Sequence, residues 1–171
     1  MASVSLCMIV KDEEAVLARC LDSVKDLVEE IIIVDTGSVD LTKEIARGYT
    51  DKLYDFEWID DFSAARNFSF SKARGDFIMW LDADDVLSEK NRKSFVRLKE
   101  SILGNADVVM MKYETAFDEA GNPVFSYYRE RLLRRELNFH WEGRVHEAIS
   151  PSGRIVYSDV AVTHLSAKKE Y

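Results

Sequence analysis

Four times between Val4 and Leu103 a short apolar run gives way to a stretch whose apolar residues recur at helical spacing, and this alternation narrows the possible folds more than any other feature. Residues 4–10 read as a strand; 13–24 read as a helix with Val16, Leu17, Cys20, Leu21 and Val24 on one side and Asp12 as its cap. Residues 30–35 form a second apolar strand that ends in an acid. Thr36-Gly37-Ser38 then turns the chain, and Asp40 caps a helix through about Arg47. A third short strand at 52–56 precedes a helix at 62–73, with Phe62, Ala65, Phe68 and Ser69 on one face and Arg66 and Asn67 in its early turns. After Gly75 comes Phe77-Ile-Met-Trp-Leu81, too short for a helix, and then a fourth helix over 90–103 with Phe95, Val96, Leu98 and Ile102 mostly inward. Right-handed crossovers turn such a pattern into an α/β, Rossmann-like, mostly parallel sheet with helices on both faces.

From Ala106 the texture changes. Residues 107–113 make a strand, Gly121-Asn122-Pro123 is a turn signal, 124–133 return as a hairpin, and 155–164 alternate as a last strand. This predicts a smaller, antiparallel C-terminal part. Neither a repeat nor a linker interrupts the chain, so a single domain over 1–171 is expected. Its end at Lys168-Lys169-Glu170-Tyr171, without a closing helix, suggests a piece of a longer protein.

The net charge of −8 and the absence of any long Lys/Arg block give no footprint for nucleic acid. Cys7 and Cys20, with no Cys-x-x-Cys spacing, read as buried reduced thiols. The apolar start lacks a basic flank and no stretch reaches the ~18 apolar residues of a membrane span. The expectation is a cytoplasmic protein with no integral membrane segment.

Asp35, Asp82 and Asp84 all fall at carboxyl ends of predicted parallel strands, the edge of an open α/β sheet where ligands bind. Singly, each could cap a helix or begin a turn. As a set, the hard oxygen donors of Asp82-Ala83-Asp84 suit Mg²⁺ or Mn²⁺ carrying a substrate's phosphates.

The ordered set Val4-Ser-Leu-Cys-Met-Ile-Val-Lys-Asp-Glu-Glu14, Ile33-Val-Asp-Thr-Gly-Ser-Val-Asp-Leu-Thr42, Ala65-Arg-Asn67, Gly75-Asp-Phe-Ile-Met-Trp-Leu-Asp-Ala-Asp-Asp85 and Trp141-Glu-Gly-Arg-Val-His-Glu147 resembles glycosyltransferase family 2, with the nucleotide-diphospho-sugar transferase (GT-A) fold. The late Val-His-Glu segment looks most like bacterial members related to lipopolysaccharide core transferases. The resemblance implies a nucleotide-binding half at 1–105 and an acceptor-side half at 106–171. It also implies a metal-dependent, inverting transferase that moves a sugar from a nucleotide-sugar donor, most often a UDP-sugar, to a hydroxyl of a glycan, lipid-linked or protein acceptor in bacterial cell-envelope synthesis. Asp35 would hydrogen-bond the base, and Val10, Lys11 and Glu13 would line the base and ribose pocket. Arg66 would reach the nucleotide or its diphosphate. Asp82 and Ala83 would touch the nucleotide, Asp82 the metal shell as well, and Asp84 would ligate Mn²⁺ or Mg²⁺. His164 is a further candidate ligand, or else an ordinary strand histidine held by a neighbour. Glu147, with Glu142 behind it, is the candidate catalytic base; the alternative for Glu147 is a salt bridge to Arg144 or another arginine. Trp58, Trp80 and Trp141 could stack on a sugar, and Trp141 could line the acceptor side. Where many members carry Pro-x-Tyr-Asn-Glu at the first strand this chain has Ile9-Val10-Lys11-Asp12-Glu13, and where a late Glu-Asp is common it has His146-Glu147.

Two rival classes fit less of the chain. A phospho-accepting receiver domain would use Asp12, Glu13, Asp82 and Lys112 but lacks the Pro- and Gly-bearing turn, and a nucleotidyltransferase would need a basic, Gly-rich loop where Lys11-Asp-Glu-Glu14 stands. A non-catalytic domain that binds sugar nucleotides remains open at this level.

Overall fold

The structure, a computed structural model, describes residues 1–101 and 103–166. In chain order its elements are β1 (Val4–Val10), α1 (Leu17–Val24), β2 (Glu30–Asp35), α2 (Thr42–Arg47), β3 (Leu53–Asp55), α3 (Phe62–Ser71), β4 (Phe77–Trp80), β5 (Asp85–Val86), α4 (Glu89–Ser101), β6 (Val108–Phe117), β7 (Pro123–Arg134) and β8 (Ile155–His164). The strands form one sheet in the order β3-β2-β1-β4-β7-β6-β8-β5. β3, β2, β1 and β4 run parallel; β7 pairs antiparallel with β4 and β6. The α/β sheet is thus mostly parallel with an antiparallel insertion. β8, expected in an antiparallel part, instead runs parallel to β6 and meets only β5 antiparallel.

Strand alternation sends successive side chains to opposite faces, and in β1, β2 and β4 both faces are apolar. Leu6, Met8, Ile31, Ile33, Phe77 and Met79 pack on one side under α1 and α4, while Cys7, Ile32, Val34, Ile78 and Trp80 pack on the other beneath α3. Each fully buried aliphatic side chain contributes roughly 1.5–3 kcal/mol, which is why these strands lie at the centre. Both cysteines are buried free thiols. Gly75 is fixed by proximity: a Cβ there would lie 2.8 Å from Ser5 Oγ and 3.0 Å from Ser5 N, so only glycine lets β4 start against β1.

Several local expectations need correction. α1 starts at Leu17 rather than 13, because Asp12 adopts φ 52° and its carboxylate accepts from Val39 N instead of capping the helix. α3 begins as expected, with Asp61 accepting from Ala64 N, but its buried face carries Ser63, Ala65, Arg66, Ser69 and Phe70, and Phe62 is 39% exposed. The arginine turns inward because it has partners there. In α4, Phe95 and Leu98 are buried but Val96 is exposed, and Ile102 lies outside the described residues.

Candidate active site

The carboxyl ends of β1, β2 and β4 open onto a cavity of about 490 Å³. Val10, Lys11 and Glu13 at the exit of β1 line it, as do Arg66 from α3, Asp82, Ala83 and Asp84 after β4, and His164 at the end of β8. The topology explains the assembly: parallel strands place their exits side by side, and the register of β5 on β8 sets Asp85 opposite His164.

Arg66 organises one wall. It is 8% exposed, its guanidinium carbon lies 5.1 Å from the Trp80 ring centroid and 4.9 Å from that of Trp141, and its Nη2 donates to Asp82 Oδ1 at 2.8 Å. Burial pushes the Asp82 carboxyl up, but the Arg66 charge and hydrogen bond outweigh it and hold Asp82 below its ordinary range. Arg66 Nε lies 3.6 Å from Glu147 Oε2. Glu147 therefore pairs with an arginine, the alternative named from sequence, though with Arg66 rather than Arg144. It stands beside the cavity and is not among its lining residues.

The segment carrying Glu147 is tied to α3. Asn67 brackets Trp141, its Nδ2 donating to Trp141 O at 3.0 Å and its Oδ1 accepting from Trp141 N at 2.7 Å. Phe62 N donates to Arg144 O, and Ser63 Oγ to Gly143 O. Backbone bonds between Glu142 and Ala148 close the loop, with Gly143 at φ 100° and His146 at φ 54°. Trp80 and Trp141 are 2% exposed and meet edge to face, so neither can stack on a sugar. Trp58 does line the cavity, edge-on to Phe62.

The opposite wall is acidic. Burial first, then the charges of Asp84, Asp82, Asp40 and Asp12, push Glu13 up to about 7. Asp84 is raised by burial and by Asp85 and Asp82, against the pull of His164. His164 is raised by the Asp85 carboxylate, against burial, with Asp84 adding to the shift. Asp84, Asp85 and His164 bring one potential ligand atom each within 4.8 Å of one another. Asp82, expected in the metal shell, gives one oxygen, Oδ1, to Arg66 and is not a member of that group. Asp35 is 2% exposed; its Oδ1 accepts from Gly37 N and Ser38 N, and its Oδ2 is buried with no partner among the described residues.

Sequence reading missed Asp85, Arg131 and Tyr113. Asp85 is fully buried; its Oδ2 accepts from Asp82 N at 2.8 Å and its Oδ1 from the Tyr113 hydroxyl at 2.7 Å. The signal was present as a charge inside the apolar stretch around Arg131-Leu132-Leu133, but it does not say what the charge meets.

The family model for glycosyl transferase family 2 matches residues 5–158. A TPR repeat-containing protein of Synechococcus elongatus is 41% identical over 152 residues, covering 89% of this chain and 36% of that protein. The SPbeta prophage-derived glycosyltransferase SunS of Bacillus subtilis is 32% identical over 143 residues, covering 82% of this chain and 33% of SunS. The chain thus spans about a third of the length of these relatives. Staphylococcus aureus TarS 1–349 in complex with UDP-GlcNAc superposes with a TM-score of 0.68 at 18% identity, over 98% of this chain and 60% of that one. Glucosyl-3-phosphoglycerate synthase of Mycobacterium tuberculosis, in complex with Mn²⁺, UDP and glucosyl-3-phosphoglycerate, gives 0.61 at 15% identity, over 96% and 72%. These likenesses establish the GT-A fold.

Proposed function

The chain belongs to glycosyl transferase family 2, and from that premise we propose that it moves a sugar, with inversion, from a nucleoside-diphosphate donor to a hydroxyl acceptor with the help of Mn²⁺ or Mg²⁺. The observation that carries this reading is the cavity itself, where a buried guanidinium and a crowd of carboxylates meet at the exits of parallel strands. UDP and Mn²⁺, bound in the fold neighbours, are the nucleotide and ion to try first.

The donor set fits a divalent cation. Glu13 and Asp84 are both held above their ordinary range in part by neighbouring carboxylates, a repulsion that a cation relieves, and a carboxylate beside an imidazole suits Mn²⁺. Asp84 and His164 would hold it, with Asp82 at the edge. When bound, such an ion stabilises the departing diphosphate as a Lewis acid.

The chain's own residues do the rest. Asp35 Oδ2, buried and free to accept, takes a donor of the base. Val10, Lys11, Glu13 and Ala83 shape the nucleoside pocket. Arg66 keeps Asp82 ionised and oriented, and Glu147, held beside Arg66, accepts the proton of the acceptor hydroxyl as its oxygen bonds to the anomeric carbon and the nucleotide leaves with the electron pair. The acceptor is a glycan, lipid-linked or protein hydroxyl of the bacterial cell envelope, reached from the cytoplasm. No helix among the described residues is long and apolar enough to cross a membrane.

Incubation with a panel of UDP-sugars tests the reading. UDP release from at least one of them, abolished by EDTA and restored by Mn²⁺, is expected. Tight binding with no release, with or without oligosaccharide acceptors, would make the chain a binding domain instead.

A further inference from the structure

Beneath the acidic wall lies a buried group that the proposed chemistry does not use. Arg131 on β7 is the largest fully buried side chain among the described residues. Its guanidinium carbon sits 3.9 Å from the Trp80 ring centroid and 4.5 Å from that of Tyr113, its Nη1 donates to Trp80 O at 3.2 Å and lies 3.5 Å from Asp85 Oδ2. Its Nε and Nη2 have no partner among the described residues. Two unpaired buried donors cost stability, and an apolar residue would fill the same space more cheaply. Arg131 therefore needs another reason to be there.

That reason lies in what it holds. Both Asp85 oxygens are committed, one to the Asp82 amide and one to the Tyr113 hydroxyl. Tyr113 has a single hydrogen, and its hydroxyl donates it to Asp85 Oδ1. The Tyr113 oxygen, 3.0 Å from His164 Nδ1, is left to accept. Two carboxylate oxygens also face that nitrogen, Asp84 Oδ1 at 3.5 Å and Asp85 Oδ1 at 3.7 Å, both farther than the Tyr113 oxygen.

We propose that Arg131, Asp85 and Tyr113 are positioning residues: Arg131 holds the Asp85 carboxylate in place, Asp85 anchors the Asp82–Asp84 turn, and Tyr113 fixes His164 as the tautomer protonated at Nδ1, which leaves the Nε2 lone pair for a metal ion. Asp85 is then an anchor and not a ligand, although it lies within the Asp84–Asp85–His164 group. The planar guanidinium matters because it must slide between two rings while touching a carboxylate, which a lysine ammonium cannot do.

The ion in this inference rests on the proposed function, but the network does not, and the test separates them. In the metal-free protein, nitrogen-15 NMR of His164 in its neutral form should report a proton on Nδ1, and Tyr113→Phe should weaken that preference to what the Asp84 and Asp85 carboxylates sustain alone. Hydrogen exchange at the Asp82 amide should rise in Asp85→Ala, which removes its acceptor. A proton on Nε2 in the native protein, or an Asp82 amide indifferent to Asp85→Ala, would overturn the network.

The second arm titrates Mn²⁺ in the presence of UDP, followed by electron paramagnetic resonance. Because Arg131→Met alone leaves a buried carboxylate unpaired and could unfold the chain, the paired variant Arg131→Met with Asp85→Leu is measured beside it. It should stay folded by circular dichroism and bind Mn²⁺ roughly 10–100-fold more weakly, as loss of such partners does at other metal sites, with Arg131→Lys failing to rescue. A folded paired variant with native Mn²⁺ affinity would refute the positioning role. Should the native protein take up neither UDP nor Mn²⁺, the assignment toward a metal falls with the transferase reading, while the NMR arm still judges the network.

Discussion

Glu13 shares the cavity with Asp82 and Asp84, and that crowding should be measurable as stability. Its carboxyl is raised from 4.5 to about 7 in the folded chain by burial and like charges. A group with a raised folded value contributes stability fully below its unfolded value of 4.5 and loses it as pH rises through about 7. Above that range the native chain carries an ionised carboxylate it would be better without. Glu13→Gln should therefore match the native chain near pH 4.5 and exceed it at pH 8 by about 1 kcal/mol, the linkage value discounted for screening at a half-exposed site. Urea melts in EDTA at the two pH values check this, and a difference independent of pH would contradict it. The same residue shows what sequence can reveal: Glu13 was legible as a pocket residue from its place after β1, but its altered proton affinity needed the three-dimensional company of Asp82 and Asp84.

Between elements, the junction of α3 with the 141–148 segment decides where Glu147 stands. Asn67 bonds both backbone groups of Trp141, and Arg66, one residue earlier, pairs with Glu147. Asn67→Ala removes both bonds and leaves part-buried backbone groups unpaired, so it should cost about 1–3 kcal/mol. Hydrogen exchange should accelerate at Trp141 and through Glu142–Ala148 while β1 and β4 stay protected; uniform acceleration would mean that Asn67 supports the whole fold rather than this loop. Ala65-Arg-Asn67 was legible as a motif because its signal is local. Its partner was not, since Trp141 is distant in sequence and only packing brings it under the helix. The inward turn of α3 was misread for a related reason: periodicity favours Phe62 for the core, yet two indole faces and two carboxylates make the interior the better place for Arg66.

Across the whole molecule, the strand-helix alternation made the parallel half of the sheet readable, because each unit closes within a few dozen residues. β5 and β8 were harder. Val86 and Asp85 form a two-residue strand that no periodicity marks, and the direction of β8 follows from its return alongside β6. That pairing carries His164 to Asp84 and Asp85, so this candidate metal edge is a product of topology joining residues from the middle and the C-terminal part of the sequence. The most direct test of the account is calorimetric titration of UDP, with GDP for comparison, into the native chain and Asp84→Ala, with and without Mn²⁺. Binding of UDP that strengthens with Mn²⁺ in the native chain and loses that dependence in Asp84→Ala is the predicted result; UDP binding that ignores the ion in both proteins, or no binding of either nucleotide, would contradict it.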